Sequence, residues 1–486
     1  MRVAWQAGVL LALEEAGERF HHADGTSGGT INLAMLLSGL SPLEMCDRWR
    51  TLRVKDFVSF MPLGEYLKGF GLMALGDADG VVGKVFPHLG IDVDRIRSAR
   101  GIEGTFNACN FTEKTNEAMA HQEVDLDFLV AAVSLPVFMP PVQRGSAIYT
   151  DSVWIRDANL IEAVRRECRE LWLVWCIGNT GRYRSGILPQ YVHMIEMSAN
   201  GTLFEDFERI REANARSGPS AEDAGPGPIR LHVIRPEFPL PLDPEFYEGR
   251  VTADTLIAMG YRDARAYLGR RRPEGIPLDS RATRMRDPGR TVMFRESWAG
   301  PFSLGAKDPE EGAQRGESAG TTMTLEVAVE IHDLDRFVRE VDHTGPLCGY
   351  VTFDGSGGRL PVAGGTFNVF APAPVGRPDD RVCAYDLSFG DDRRPYRLSG
   401  RRELRDDPGI DVWRDLSTMF VTLHDGTDPD DPAIGAGVLR ADAGDLRRTI
   451  TSVHVVGADS LAERIDTAAD FGRFVLGRLW ETYGPG

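Results

Sequence analysis

The hydrophobic period of this 486-residue chain changes once along its length, and that change constrains the fold more than any single motif. Up to about residue 270, segments with apolar residues at helical spacing alternate with short apolar runs, the pattern of strands joined by crossover helices in an α/β domain. Val9, Leu10, Leu13 and Ala16 form the first such helix, with Gly17 where a left-handed C-terminal cap belongs. The run Leu171-Trp-Leu-Val-Trp-Cys-Ile177 has no polar alternation, as expected of a central parallel strand covered on both faces, and it follows a charged helix expected over 162–170. Residues 217–228 (SGPSAEDAGPGP) have no apolar period and read as a mobile loop. A strand over 229–234 and a helix over 253–268 then close the domain.

From about residue 320 the period is two. Met323, Leu325, Val327, Val329 and Ile331 alternate with Thr324, Glu326, Ala328 and Glu330, and similar alternation recurs at Cys383/Tyr385/Leu387/Phe389 and Met419/Val421/Leu423. Short strands separated by Gly, Asp and Pro turns predict an all-β sandwich or barrel, closed by an amphipathic helix over about 460–482. Between the two regimes the chain passes through arginines, prolines and the segment DPEEGAQRGESAG, almost without apolar side chains. The expected organisation is an α/β domain over 1–270, a linker over 271–317 and a β-rich domain over 318–486.

Composition narrows the function classes. Lys+Arg total 55 against 72 Asp+Glu, a net charge of −17, so phosphate backbones and anionic lipid surfaces are repelled on average and nucleic acid is not an expected partner. The six cysteines are far apart, with no CxxC pair and no Cys/His cluster at zinc spacing, and read as reduced thiols. The acidic loop over 425–431 lacks the glycine and closing glutamate of an EF-hand and reads as a turn. No metal or cofactor is expected. No run nears the roughly 18 apolar residues of a spanning helix. The N-terminal segment carries Glu14 and Glu15 directly after its apolar stretch, unlike a secretory signal. The expectation is a cytoplasmic protein, with peripheral membrane contact and oligomeric state left open.

Chemistry enters at Gly25-Thr-Ser-Gly-Gly29, a G-x-S-x-G sequence whose glycines Gly25 and Gly29 permit the strained strand-to-helix turn that lifts a serine hydroxyl clear of the backbone. In a chain with 53 glycines the pattern alone is weak. Its context is specific: a β-like segment over 20–24 precedes it and a helical run over 30–37 follows. Ser27 then sits at a helix N-terminus, where the dipole and the Gly28 N–H can stabilise an oxyanion. Asp151, at the end of a short apolar strand, is placed to act as a buried general base, although an aspartate there is also a common turn former. The Ser–Asp/Glu–His order would use His193 or His232, but that fold builds several strands before its elbow. His21 and His22 read as structural. Gly178-Asn-Thr-Gly181 could cradle a phosphate after a strand, the plainer reading being a turn, and Gly355-Ser-Gly-Gly358 reads as a hairpin turn.

The first 270 residues resemble bacterial, actinobacterial patatin-like phospholipases. GTSGG, Leu135-Pro-Val-Phe-Met-Pro-Pro-Val142 and Asp151-Ser-Val153 occur in that family's order after a first helix, and Ile234–Leu242 and Met259-Gly-Tyr261 extend the likeness. The resemblance implies a three-layer α/β domain with a mostly parallel sheet and a Ser-Asp dyad without histidine. Ser27 would be the nucleophile and Asp151 the general base and acid of a serine esterase that cleaves acyl esters of lipid or phospholipid substrates through an acyl-enzyme. Gly28 would supply an oxyanion N–H, supported by Arg2.

The chain departs from the family's pattern in two places. The aspartate motif is usually D-G-G or D-G-A, and Ser152 stands where that glycine is usual. Met1-Arg2-Val3 aligns with the end of the family's glycine-rich G-G-G-x-R-G loop, so the reading frame is expected to continue upstream into that loop. The alternative is a catalytically weak or inactive lipid-binding protein that lacks this glycine-rich oxyanion loop. The β-rich region resembles a domain attached to cholesterol-oxidase-like oxidoreductases, through Met323–Val327, Gly365–Val369 and Leu398–Glu403, which implies lipid or membrane binding and carries over no catalytic residue.

Overall fold

The computed structural model describes residues 2–52, 80–216, 227–241, 249–373, 380–391, 393–405 and 412–484. They form two compact units, Met1–Asp287 and Pro288–Gly486. Most of the expected loop over 217–228 lies outside the described residues.

The first unit opens with α1 (Ala4–Glu15), β1 (His22–Thr26), α2 (Gly28–Leu37) and α3 (Pro42–Thr51). α1 ends at a left-handed Gly17, φ +78°, whose N–H reaches the Glu14 carbonyl while the Glu18 N–H reaches Leu13, as the cap reading requires. Next come β2 (Glu103–Asn110), β3 (Thr115–Ala120), α4 (Leu126–Val133), β4 (Val142–Arg144) and β5 (Ala147–Thr150). α5 (Leu160–Arg165), β6 (Glu170–Val174), α6 (Ile187–Arg216), β7 (Arg230–Ile234) and α7 (Ala253–Leu268) complete the elements used below. The charged helix expected over 162–170 begins and ends earlier, at Leu160 and Arg165; Glu167, just beyond it, takes φ +66°, and Glu170 begins β6.

Strand order is β1-β2-β5-β4 with β3 also on β2, and β6 pairs with β7. Among the described residues only β1–β2 and β6–β7 are parallel; β2–β3, β2–β5 and β4–β5 are antiparallel. The expected mostly parallel sheet is therefore mixed. Connection length explains this: β2 reaches β3 through 111–114 and β4 reaches β5 through 145–146, turns too short for the crossover a parallel pair needs. α1 and α7 cross at two glycines. A Cβ on Gly8 would lie 2.0 Å from the Ile257 carbonyl oxygen and one on Gly260 1.9 Å from that of Trp5, so the two backbones meet directly. Trp5 Nε1 donates to Asp263 at 2.9 Å and Tyr261 to Glu15 at 2.6 Å across the same contact.

In the second unit β8 (Thr291–Leu304), β9 (Thr322–Ile331), β10 (Thr344–Phe353), β11 (Leu360–Pro372), β12 (Arg381–Asp391), β13 (Arg394–Leu404), β14 (Thr418–Asp425) and β15 (Ala433–Arg440) each pair antiparallel with the next. β15 returns to β8, with Gly435 opposite Leu304, and closes an eight-stranded barrel. Closure removes the free edges a sandwich would retain. Phe294, Trp298, Phe367, Tyr385 and Phe389 help fill the interior, and α8 (Leu461–Tyr483) is the expected terminal helix.

The expected linker over 271–317 contains β8 and a helix, Pro309–Ala319, and both are built into the barrel unit. The helix has no apolar stripe because it packs through glycines. A Cβ on Gly312 would come within 2.1 Å of the Ala436 oxygen and one on Gly316 within 2.6 Å of the Phe302 nitrogen. In β8 a buried Glu296 interrupts the inward series Val292, Phe294, Trp298. No described helix is long and apolar enough to cross a membrane, and all six cysteines are free thiols.

Candidate active site

β1 delivers the chain to Ser27, which takes φ 51° and ψ −125° before α2 begins at Gly28. A non-glycine residue in this region is strained, and strain of this kind holds a side chain out of the helix it precedes. Ser27 caps no helix N–H; its Oγ donates to Asp151 Oδ2 at 2.7 Å. Two of the motif glycines are required sterically. A Cβ on Gly25 would meet the Gly29 oxygen at 2.9 Å and one on Gly28 the Val3 Cγ1 at 2.0 Å, whereas Gly29 has open space.

Asp151 follows β5 and is 1% exposed. Its Oδ1 accepts the Val153 N–H at 2.9 Å, and its own N–H donates to the Ser134 carbonyl at 2.9 Å, beside the Thr150 hydroxyl on that carbonyl at 2.6 Å. Burial pushes the Asp151 carboxyl up to about 7, against the opposing hydrogen bonds from Ser27 and Val153. Asp157 is pushed to about 8 by burial and then by the Asp151 charge. Ser152 opens a single 3-10 turn, Ser152–Trp154, at negative φ, so the glycine usual here is not needed for conformation. Its hydroxyl donates instead to Asn116 Oδ1.

Beneath the elbow lies a polar network that sequence reading did not single out. Asn107 on β2 donates to Asp24 Oδ1 at 2.8 Å and to the Gly25 carbonyl at 3.1 Å. Its Oδ1 accepts from Asn116 and Asn159, each at 2.9 Å. Thr105 donates to the other Asp24 oxygen at 2.5 Å, and burial lifts that carboxyl to about 7. The network joins β1, β2, β3 and the segment after Asp151. Its sequence signal is faint: Thr105, Asn107 and Asn110 are polar residues in a strand buried almost throughout.

Gly28 is the first residue of α2, so its N–H belongs to the turn whose donors have no intrahelical acceptor. Arg2 Nε donates to the Pro241 carbonyl at 3.0 Å, and it is the next residue, Val3, that packs on Gly28.

Residues 1–164 match the patatin-like phospholipase family. The matched patatin-like stretch runs from α1 into α5 and contains Ser27, Asp151 and the Asp24–Asn107–Asn116–Asn159 network. At the family level such a domain is a lipid acyl hydrolase. No curated protein matches the chain.

His193, His232 and His22 of the first unit have other partners. His193 pairs with Glu196 at 2.9 Å and stacks on Tyr183, while His232 meets Tyr267 Oη at 2.8 Å and stacks on Trp172. His22 lies 3.0 Å from the Thr105 hydroxyl, and burial holds its ring down at about 4. In the Gly178–Gly181 loop the N–H groups of Gly181 and Arg182 are taken by Asp287 Oδ1, at 2.9 and 3.2 Å, so a carboxylate occupies the place a phosphate would need.

Proposed function

We propose that the first unit hydrolyses acyl esters of lipids through an acyl-enzyme on Ser27, with Asp151 as the only proton carrier. The observation that supports this most directly is the 2.7 Å hydrogen bond from Ser27 Oγ to a buried carboxylate. Asp151 takes the hydroxyl proton as Oγ adds to the ester carbonyl, and the oxyanion forms against the N-terminus of α2, where the Gly28 N–H is available. The proton passes to the leaving alcohol, and the C–O bond to the alcohol breaks. A water then gives a proton to Asp151 and attacks the acyl carbonyl, and return of that proton to Oγ releases the acid. A carboxyl of ordinary pKa is a poor base for this purpose, and one lifted to about 7 by burial is matched to it.

Covalent labelling by a fluorophosphonate tests the reading. The unaltered chain should label, Ser27→Ala should not, and Asp151→Asn should label about a hundredfold more slowly or worse, the usual contribution of a general base. Failure of the folded, unaltered chain to label would refute it.

A further inference from the structure

The terminal helix α8 carries two apolar faces, and the barrel uses one of them. Phe474 is buried in the barrel core, and Phe471, Val475 and Leu479 pack beside it. Further round the helix Leu461, Ile465, Leu476 and Trp480 turn to solvent, each between 58 and 71% exposed. Ala469 is exposed between them and Gly472 partly so. These positions form two adjacent rows at four-residue spacing, 461-465-469 and 472-476-480. The rows mirror each other about the midpoint between positions 470 and 471: Ala469 matches Gly472, Ile465 matches Leu476, and Leu461 matches Trp480. A two-fold interface sets one patch against itself, and a patch of this symmetry can meet its own copy in antiparallel sense. Helices packed through rows of this spacing cross at about −50°. The small residues then lie where the backbones come closest, and the large ones lie where the axes diverge.

Two further features fit a second copy. A Cβ on Gly472 would meet nothing within 4 Å, whereas Gly312 and Gly316 are held against backbone. Glycine is unfavourable in a helix interior, and among the described residues nothing packs closely enough to require it here. A second helix crossing at this point would require it. The other feature is charge. Asp466 and Arg473 are exposed and lie on the same flank of the stripe. An antiparallel pair sets like flanks face to face, which brings Asp466 of each copy to Arg473 of the other. Arg473 also pairs with Asp470 of its own helix, and its guanidinium has donors for both.

We propose that α8 docks on α8 of a second copy of this chain, antiparallel about that midpoint, and makes the protein a homodimer. The inference goes beyond the hydrolase reading and does not depend on it. One helix pair buries less than a standard interface, so the dissociation constant is expected on the order of 10 µM. Sedimentation equilibrium of the full chain from about 1 to about 200 µM should pass from the 53.6 kDa of one chain toward twice that mass. Ile465→Glu and Gly472→Gln should each weaken the dimer at least about tenfold. Gly472→Gln should do so while keeping or raising the melting temperature, because glutamine is the better helix former and has open space in the single chain. Asp466→Arg should weaken the dimer about threefold or more, and adding Arg473→Asp should restore it, since the reversed pair attracts again. Ile187→Glu, at an exposed apolar position of the first unit, should leave it unchanged. The proposal is overturned by a monomer at every concentration, by a dimer indifferent to Gly472→Gln, by failure of the charge reversal to rescue Asp466→Arg, or by an equal loss with Ile187→Glu.

Discussion

Asp151→Asn should make the protein more stable at alkaline pH while disabling its chemistry. In the unfolded chain this carboxyl titrates near 3.8, and in the fold burial lifts it to about 7. A raised folded value means that the packed interior favours the protonated form. The stability this contributes is complete below about pH 4 and is lost as pH rises to about 7. The gap of about 3 units corresponds to about 4 kcal/mol. Asparagine is neutral throughout and keeps the shape; its carbonyl oxygen can accept the Val153 N–H and its amide can donate to Ser27 Oγ. The variant should therefore exceed the parent by up to about 4 kcal/mol at about pH 8, by less than half of that at about pH 5, and by almost nothing below about pH 4. Asp157, lifted to about 8 partly by the Asp151 charge, adds in the same direction. Urea unfolding of both proteins across this range reads the difference directly, since other pH effects cancel between them. A variant less stable than the parent at alkaline pH, or a gain that does not change with pH, would refute the reasoning.

Other consequences are as direct. The fluorophosphonate labelling rate of the unaltered chain should rise about tenfold per pH unit below about 7 and level off above it, and a flat profile would remove Asp151 as the base. Gly260→Ala drives a methyl to 1.9 Å from the Trp5 carbonyl oxygen and should destabilise the first unit by about 2 kcal/mol or more, whereas Gly29→Ala, with open space around it, should stay within about 1 kcal/mol of the parent in melting experiments. Asn107→Leu strands Asn116 and Asn159 and strips one partner from Asp24; labelling should slow about tenfold even where the fold survives, and an unchanged rate would reduce the network to ordinary packing.

Spacing located most elements well, because a buried face imposes its period on the residues that form it. The helix expected over 253–268 is Ala253–Leu268, and the alternation in 323–331 is β9, Thr322–Ile331. It missed the helix over Pro309–Ala319 for the converse reason: Gly312 and Gly316 bury backbone against backbone and leave no apolar stripe to count. Alternation likewise could not choose between sandwich and barrel, since both place the same residues inward. The choice was made by β15 pairing with β8. The parallel sheet expected of an α/β pattern became mixed where connections were too short to cross over.

The same division runs through the candidate site. The elbow is local chemistry: Gly25, Gly28 and the start of α2 suffice to strain Ser27, so five consecutive residues announce it. The partner of Ser27 is not local. Asp151 lies 124 residues away, and it faces the elbow because β2 pairs with β5 at Cys109–Thr150 and because Ser134 holds its backbone. Its altered acidity belongs still less to its neighbours in the chain. Desolvation is a property of everything packed around a group, and only the assembled interior decides how much water an aspartate loses.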